Sequence, residues 1–331
     1  MVKELKSVAD VNSFLSKEPE VYVVCDGNAE WVFHAMTPTH RYIPHVFLEA
    51  SEAAKSVDTV AGIGQWLIRE RAPRGAVLMA VGGGITTDVV GLAASLYKRG
   101  IRYFNFPTTL LAQVDAAIGG KNGVNVDGYK NMLGTFYTPE YTFICPEVLK
   151  TLPEREMKAG YAELLKTFLI YDGRAYEKAL NDIREGKPLG RWILKAASIK
   201  EEITTIDPFE TKDIRVKLNL GHTFAHAIEH EAHEKGDDIS HGEAVAMGII
   251  LAARMAERGK KEKGFADRLK ADFDSIGLPT RCPYPTHSLE AAIKRDKKSI
   301  VYGKVKFVQP ISPGHVELVE MFPDGLYIPT E

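Results

Sequence analysis

The sequence predicts an α/β domain built on a parallel sheet, followed by a mainly α-helical domain. Three observations predict it. Short β-branched runs alternate with helical stretches through the first half. Those runs are bounded by glycine, proline or polar residues. After about Pro146 strand-like runs become rare, and helical patterns dominate until Val305–Val308. Strands that alternate with helices of about ten to fifteen residues imply βαβ units and a parallel sheet.

The strand-like segments are Val21–Asp26, His45–Glu49, Ala76–Val81 and Tyr103–Phe106. Their apolar character suits strands buried on both faces. Asp58–Arg71 and Asp88–Arg99 read as the helices between them. In the second half Pro153–Ile170, Gly190–Thr205, Leu220–Ala232, His241–Arg258 and Phe265–Ile276 read as helices. No Gly/Ser linker separates the halves, so two packed domains with a cleft between them are expected. Neither an internal repeat nor a low-complexity segment is present.

A chain of 331 residues is long enough for two ordinary domains. Its 45% hydrophobic and 26% charged residues are the mix of a soluble globular protein. With 42 basic against 44 acidic residues, nothing points to nucleic acid or an anionic membrane as partner. Cys25, Cys145 and Cys282 are scattered and in no CxxC spacing, which fits a reducing compartment. The first residues, MVKELKSVADVNSF, lack the apolar core of a signal peptide, and the longest apolar runs break at charges. A cytoplasmic enzyme is the expectation.

Ala76–Gly84 runs from a buried strand into three glycines and then a helix. Glycines let a backbone approach a phosphate, and a helix N-terminus offers N–H groups and positive dipole. The pattern is GGGxxxD rather than GxGxxG, so a plain turn between strand and helix remains an equal reading. Asp88 suits a helix cap as well as a cofactor contact. Pro107–Asn131 places Thr108 and Thr109 directly after a strand, then Asp115, Gly119, Gly120, Lys121, Lys130 and Asn131. Polar loops at the carboxyl end of a parallel sheet favour ligand binding over a merely solvated role.

Five of the ten histidines fall between His222 and His241: His222, His226, His230, His233 and His241. Imidazole both ligates divalent metals and titrates near neutral pH. His222 and His226 are four apart and share a helix face. Two histidines and a carboxylate make a catalytic metal site with an open position. Glu163, amid the small and apolar residues of AGYAELLK, is the best carboxylate, because an unpaired charge there is costly. Zinc fits such a site, and spacing alone leaves iron, cobalt and manganese open. His230 and His233 read as ordinary hydrogen-bonded residues. Arg99, Lys121, Lys130, Lys166, Lys200, Arg215, Lys297 and Lys298 suit a substrate bearing phosphate and carboxylate, if they converge.

The motifs GGGITTDVVG, YKRGIRYFNFPTTLLAQVDAAIGGKNGVN, KNMLGTFYTP, AGYAELLK, LNLGHTFAHAIE, HGEAVAMG and DKKS resemble the 3-dehydroquinate synthase family. The resemblance covers about Val21 to Val308. It implies a Rossmann-like NAD-binding domain (residues 1–148) and an α-helical metal- and substrate-binding domain (residues 149–331). The implied activity is that of a lyase of the shikimate pathway. It converts 3-deoxy-D-arabino-heptulosonate 7-phosphate to 3-dehydroquinate and phosphate. A ring hydroxyl is oxidised with NAD, phosphate is eliminated, the ketone is reduced again, the ring opens, and an aldol step closes the carbocycle.

The resemblance also implies roles. Glu163, His222 and His241 match the zinc ligands, with cobalt an alternative metal. Gly83, Gly84 and Asp88 match positions that hold pyrophosphate and nicotinamide. Asp26, Glu52 and Lys55 match the ribose side. Thr108, Thr109, Asp115, Lys130, Thr151 and Glu156 match further cofactor-side or catalytic positions. Lys121, Asn131, Asn219, His226 and Lys297 match residues that grip the substrate phosphate. Lys166, Lys200 and Arg215 match substrate contacts, the latter two near its carboxylate. Arg99 matches an arginine reaching the partner site of a homodimer.

Thr87 departs from the family's usual glycine, and Asn122 from its usual threonine; both ends of the chain are also shorter than usual. The alternatives are a sister sugar-phosphate cyclase (aminodehydroquinate, 2-deoxy-scyllo-inosose or valiolone type) and a metal-dependent polyol dehydrogenase.

Overall fold

The computed structural model describes residues 1–36, 42–127, 129–258, 263–295, 300–301 and 304–321. Apolar and β-branched runs form the strands of the first half. They are β1 (Val2–Glu4), β2 (Val21–Asp26), β3 (His45–Leu48), β4 (Val77–Gly82), β5 (Arg102–Pro107), β6 (Lys121–Val126), β7 (Tyr129–Phe136) and β8 (Tyr141–Ile144). Six of these make one sheet in the order β1-β8-β5-β4-β2-β3, every neighbouring pair parallel. β6 and β7 form a separate antiparallel pair. All residues of β2 and β4 are buried, as expected of central parallel strands covered on both faces.

The first-half helices are α1 (Asn12–Leu15), α2 (Glu30–Met36), α3 (Val57–Arg69) and α4 (Gly84–Leu96). Tyr22, Val24, Leu78 and Ala80 project from one sheet face. They pack with Val60, Ile63, Trp66 and Leu67 of α3 and Val89, Val90 and Ala93 of α4. Each such aliphatic side chain contributes about 1.5–3 kcal/mol on burial. Ser56 starts α3 by accepting a hydrogen bond from the Thr59 N–H at 3.2 Å.

The second half is helical, as the sequence predicts: α5 (Glu154–Tyr171), α6 (Gly173–Arg184), α7 (Gly190–Ile206), α8 (His222–Lys235), α9 (His241–Glu257), α10 (Phe265–Asp274) and α11 (Thr286–Arg295). β9 (Ile300–Val301), β10 (Lys304–Ser312) and β11 (His315–Met321) form an antiparallel sheet. The apolar run Val305–Val308 lies in β10. No helix among the described residues is long and apolar enough to cross a membrane.

Packing divides the chain into two compact units. The first takes residues 1–157 and 193–209, the second residues 158–192 and 210–331. The sequence expectation was a single division near residue 148. Most of α7 instead packs in the first unit, where Lys200 is tied to Asp115.

Candidate metal centre and active site

Three side chains meet in the second unit. Glu163 lies inside α5, where every residue from Ala162 to Ile170 is buried. His222 is the first residue of α8 and His241 the first of α9. A reciprocal cap fixes the start of α9: the Ser240 hydroxyl accepts from the Glu243 N–H, and the Glu243 carboxylate accepts from the Ser240 N–H at 2.7 Å. The Nε2 atoms of His222 and His241 stand 3.6 and 3.4 Å from Glu163 Oε1. One donor atom from each residue lies within 4.8 Å of the others.

Two close backbone approaches make this possible. A Cβ on Gly242 would stand 2.2 Å from the Ala159 carbonyl oxygen of α5. One on Gly248 would stand 2.2 Å from the Gly221 carbonyl oxygen, at the start of α8. Glycine at both points lets α9 lie against the backbone that carries the other two ligands. Gly248→Ala is expected to cost about 1–3 kcal/mol of stability through overpacking and to weaken metal binding with it. Thermal unfolding and a zinc titration of the same variant check both effects.

The electrostatics suit a cation. Glu163 is wholly buried. Lys166 Nζ lies 2.5 Å from Oε2 as an ion pair. Burial alone raises the Glu163 pKa. Lys166 and the two imidazoles outweigh it and hold the carboxyl well below its usual range. Burial, with Lys166 nearby, pushes His222 down to about 3, so its ring is neutral. Its Nδ1–H donates to the Leu220 carbonyl at 3.2 Å, leaving the Nε2 lone pair toward Glu163. Burial also lowers His241, but Glu229 and Glu163 outweigh that and raise it to about 10. A buried, ionised carboxylate facing two imidazoles is a donor set that fits zinc or cobalt.

The other second-unit candidates lie close in sequence to these ligands. The exposed His226 ring stands edge-on to His222, 5.7 Å between centroids. Arg215 is almost fully buried, 2% exposed, in the short turn Arg215–Asn219 before α8. Asn219 is half-buried, its amide donating to Glu210 Oε1 at 3.5 Å. Lys297 falls outside the described residues.

In the first unit the glycine turn joins β4 to α4. A Cβ on Gly82 would collide with Thr86 Oγ1 at 2.6 Å, and one on Gly83 would stand 3.0 Å from Thr109. Gly83 caps α4 without a side-chain hydrogen bond, so no side chain covers the first N–H groups there. Thr86 is fully buried, and its hydroxyl has no partner. Thr87 is buried too, but its hydroxyl donates to the Gly84 carbonyl at 3.0 Å and is used inside the helix.

Around this turn the first-unit candidates form linked pairs. Lys55 and Asp88 make an ion pair at 2.5 Å. Burial raises the Asp88 pKa, and Lys55 opposes it. Asp26 ends β2, raised by burial, and accepts from the Asn28 N–H at 2.9 Å. Glu52 accepts from the Asn125 amide at 2.8 Å and stands 4.0 Å from Lys130. Asn125 Oδ1 accepts from the Asn131 N–H at 3.0 Å.

Thr108 is half-buried after β5, and Thr109 Oγ1 accepts from the Ala112 N–H at 3.2 Å. That bond opens a π-helical turn, Ala112–Ala116, which carries Asp115. Lys200 Nζ donates to the Asp115 carboxylate at 2.5 Å and to its carbonyl at 2.7 Å. Lys121 is exposed after Gly119 and Gly120. Asn122, the second departure from the family pattern, donates to the Gly120 and Tyr137 carbonyls at 3.1 and 2.8 Å, so it braces the turn that presents Lys121. Thr151 accepts from the Trp31 indole at 3.2 Å; Glu156, Thr151 and Arg99 are all exposed.

Sequence reasoning passed over Glu229. It is buried on α8, and Glu229 Oε1 lies 3.1 Å from His241 Nδ1. Its signal was a carboxylate seven residues after His222, on the same helix face and amid alanine and isoleucine.

The chain matches the family models for the N-terminal part of 3-dehydroquinate synthase over residues 45–159 and for its C-terminal part over residues 160–299. It is 39% identical to a 3-dehydroquinate synthase of Dictyoglomus thermophilum, over 83% of this chain and 78% of that one. Identity to the Pyrococcus furiosus 3-dehydroquinate synthase is 37%, over 96% and 93% of the two chains. Among solved structures, a 2-epi-5-epi-valiolone synthase from Streptomyces hygroscopicus with NAD+ and Zn2+ bound superposes with a TM-score of 0.86. It shares 26% identity and is covered over 92%, against 96% of this chain. A 2-deoxy-scyllo-inosose synthase complexed with carbaglucose-6-phosphate, NAD+ and Co2+ gives 0.84 at 26% identity, over 98% of this chain and 94% of that one.

Proposed function

Because the chain belongs to the 3-dehydroquinate synthase family, we propose that it works as that family does. It is a lyase that converts 3-deoxy-D-arabino-heptulosonate 7-phosphate to 3-dehydroquinate and phosphate. The observation that carries this reading is the buried Glu163, His222 and His241 constellation within a chain that matches both family models. Relatives of that name at 36–39% identity favour it over the sister cyclases, which match at 26%.

Glu163, His222 and His241 are the residues that would hold zinc or cobalt, and the glycine turn with Asp88 would hold NAD. When bound, the metal supplies a Lewis acid for the substrate hydroxyls and NAD a reversible hydride acceptor. The chain's own residues bind and orient. The bare N–H groups at the start of α4 suit a pyrophosphate. Gly83 and Gly84 keep that approach open. Lys55 holds Asp88 for the nicotinamide side, and Asp26 and Glu52 serve the ribose. Thr108, Thr109, Lys130, Thr151 and Glu156 complete the cofactor side.

Lys200 and Asp115 form a proton-bearing pair whose ammonium, with Arg215, takes the carboxylate. Lys121, Asn131, Asn219, His226 and Lys297 take the phosphate, which serves as base for its own elimination. Lys166 holds Glu163 ionised and adds a substrate contact. The protein's work is then positioning and fixed charge rather than acid–base chemistry of its own.

We further propose a homodimer in which Arg99 reaches the partner's site. Arg99 is exposed in a left-handed backbone conformation (φ 65°) just after α4. Leu96, Tyr129, Met132, Leu133 and Phe136 are exposed on the end of α4 and on β7, which the Thr135–Ser95 hydroxyl bond joins at 3.1 Å. An apolar surface of this kind supports an interface. Three dispersed cysteines support a cytoplasmic setting.

Two outcomes are expected here. Turnover should require the carboxylate, so sugar phosphates without one are poor substrates; equal kcat/KM for both would move the reading to a sister cyclase. Metal binding should also depend on pH. His241 keeps its proton up to about pH 10 and must lose it to bind a metal. Zinc affinity therefore rises with pH, about tenfold per unit near neutrality. Competition with a chelator at several pH values reads the slope, and a flat profile contradicts it.

A further inference from the structure

We propose that Glu229 is a positioning residue for the metal centre, accepting the Nδ1 proton of His241 and so holding that ring with Nε2 toward Glu163 and His222. The inference rests on the metal reading above and goes beyond its three ligands.

The geometry is specific. Glu229 lies on α8 and is 6% exposed. Burying a carboxylate is costly unless it is paired or hydrogen-bonded. Its Oε1 stands 3.1 Å from His241 Nδ1, while His241 Nε2 stands 3.4 Å from Glu163 Oε1. The two ring nitrogens thus face two different carboxylates. A carboxylate accepts and does not donate when ionised, so this contact places the proton on Nδ1 and leaves Nε2 as the metal-facing atom.

His222 is treated in the same way. Its Nδ1–H donates to the Leu220 carbonyl, and its Nε2 faces Glu163. Both ligand rings are therefore held from behind, one by backbone and one by Glu229. The second device is the one that a substitution can remove.

The placement also links elements. His222 and Glu229 are seven residues apart, two turns along one face of α8. One helix thus supplies a ligand directly and orients another on α9. Outer hydrogen bonds of this type fix ring orientation and raise ligand basicity; losing one typically costs about 10–100-fold in metal affinity.

The test uses full-length, metal-free protein and variants Glu229→Leu and Glu229→Gln. Zinc affinity is measured by chelator competition, the Co2+ visible spectrum is recorded, and the metal-free proteins are thermally unfolded. Glu229→Leu is expected to bind zinc about 10–100-fold more weakly and to alter the Co2+ bands. Glu229→Gln, which keeps an accepting oxygen, should recover part of the loss. The metal-free midpoint of Glu229→Gln should stay within about 2 °C of wild type.

The proposal is overturned if both variants bind zinc within about twofold of wild type. It is equally overturned if Glu229→Gln is no better than Glu229→Leu and both lose metal-free stability in step. Glu163→Ala serves as the control. If it too retains zinc affinity, the metal centre itself is misplaced, which is a separate failure.

Discussion

Glu163→Ala is expected to lose bound metal and to lower kcat/KM by on the order of 10³-fold or more. A Lewis acid at the reacting oxygen contributes several kcal/mol, and each 1.4 kcal/mol is about a tenfold change in rate. Glu163 is the one ligand that both histidines face, at 3.6 and 3.4 Å. Its loss also strips Lys166, 1% exposed in its side chain, of a carboxylate at 2.5 Å. Breaking a buried pair costs about 3–5 kcal/mol, so the metal-free variant should melt lower as well. Glu163→Gln separates the effects. It keeps the volume and an oxygen but removes the charge, so most of the packing survives while metal affinity and turnover fall. Wild-type turnover and metal content in Glu163→Gln would contradict the assignment.

Arg215→Ala carries the second large expectation. Arg215, 2% exposed in the turn just ahead of α8, is the residue whose guanidinium is assigned to the substrate carboxylate. Truncating one partner of a buried charge pair costs about 2–5 kcal/mol, so kcat/KM for the heptulosonate phosphate should fall roughly 30- to several-thousand-fold. Arg215→Lys should recover only part of this, because an ammonium lacks the planar two-pronged donor. Unchanged kcat/KM in Arg215→Ala would remove the carboxylate role.

Much of the architecture was legible because burial leaves a pattern. VYVVCD and AVLMAV read as strands buried on both faces, and they are β2 and the body of β4. The long helices α5, α7, α8 and α9 were visible from their periodicity. What escaped was short or polar. β1 and β8 were not read from the sequence; they extend the sheet by pairing with each other and with β5. α6 was missed although Asp172 caps it, its carboxylate accepting from the Ala175 N–H at 2.9 Å. Its many charged residues hid the apolar stripe. α4 starts at Gly84, earlier than Asp88, with Gly83 as its N-cap, so residues 84–87 form its first turn.

The candidate site divided in the same way. Spacing drew attention to His222 and His226 as a pair. The family resemblance pointed to His222 with His241 and Glu163, and the structure brings these three together, while His226 is exposed. Helix periodicity cannot say which face of α9 meets α5 and α8, and that packing depends on the bare backbone of Gly242 and Gly248. Glu163 was legible from chemistry, since a carboxylate in an apolar helix needs a reason. Glu229 answers to the same argument but was hidden among five histidines that claimed attention first. Thr87 and Asn122, the departures from the family pattern, prove to be internal braces: one bonds within α4, the other ties Gly120 to Tyr137.

The most direct test is phosphate release from 3-deoxy-D-arabino-heptulosonate 7-phosphate by the metal-free protein, with NAD+ and zinc added singly and together. Release is expected only when both are present, without net accumulation of NADH, and chelator should abolish it. No release with both present, or release accompanied by stoichiometric NADH, would contradict the assignment and leave a metal-dependent dehydrogenase or a different sugar phosphate as the reading.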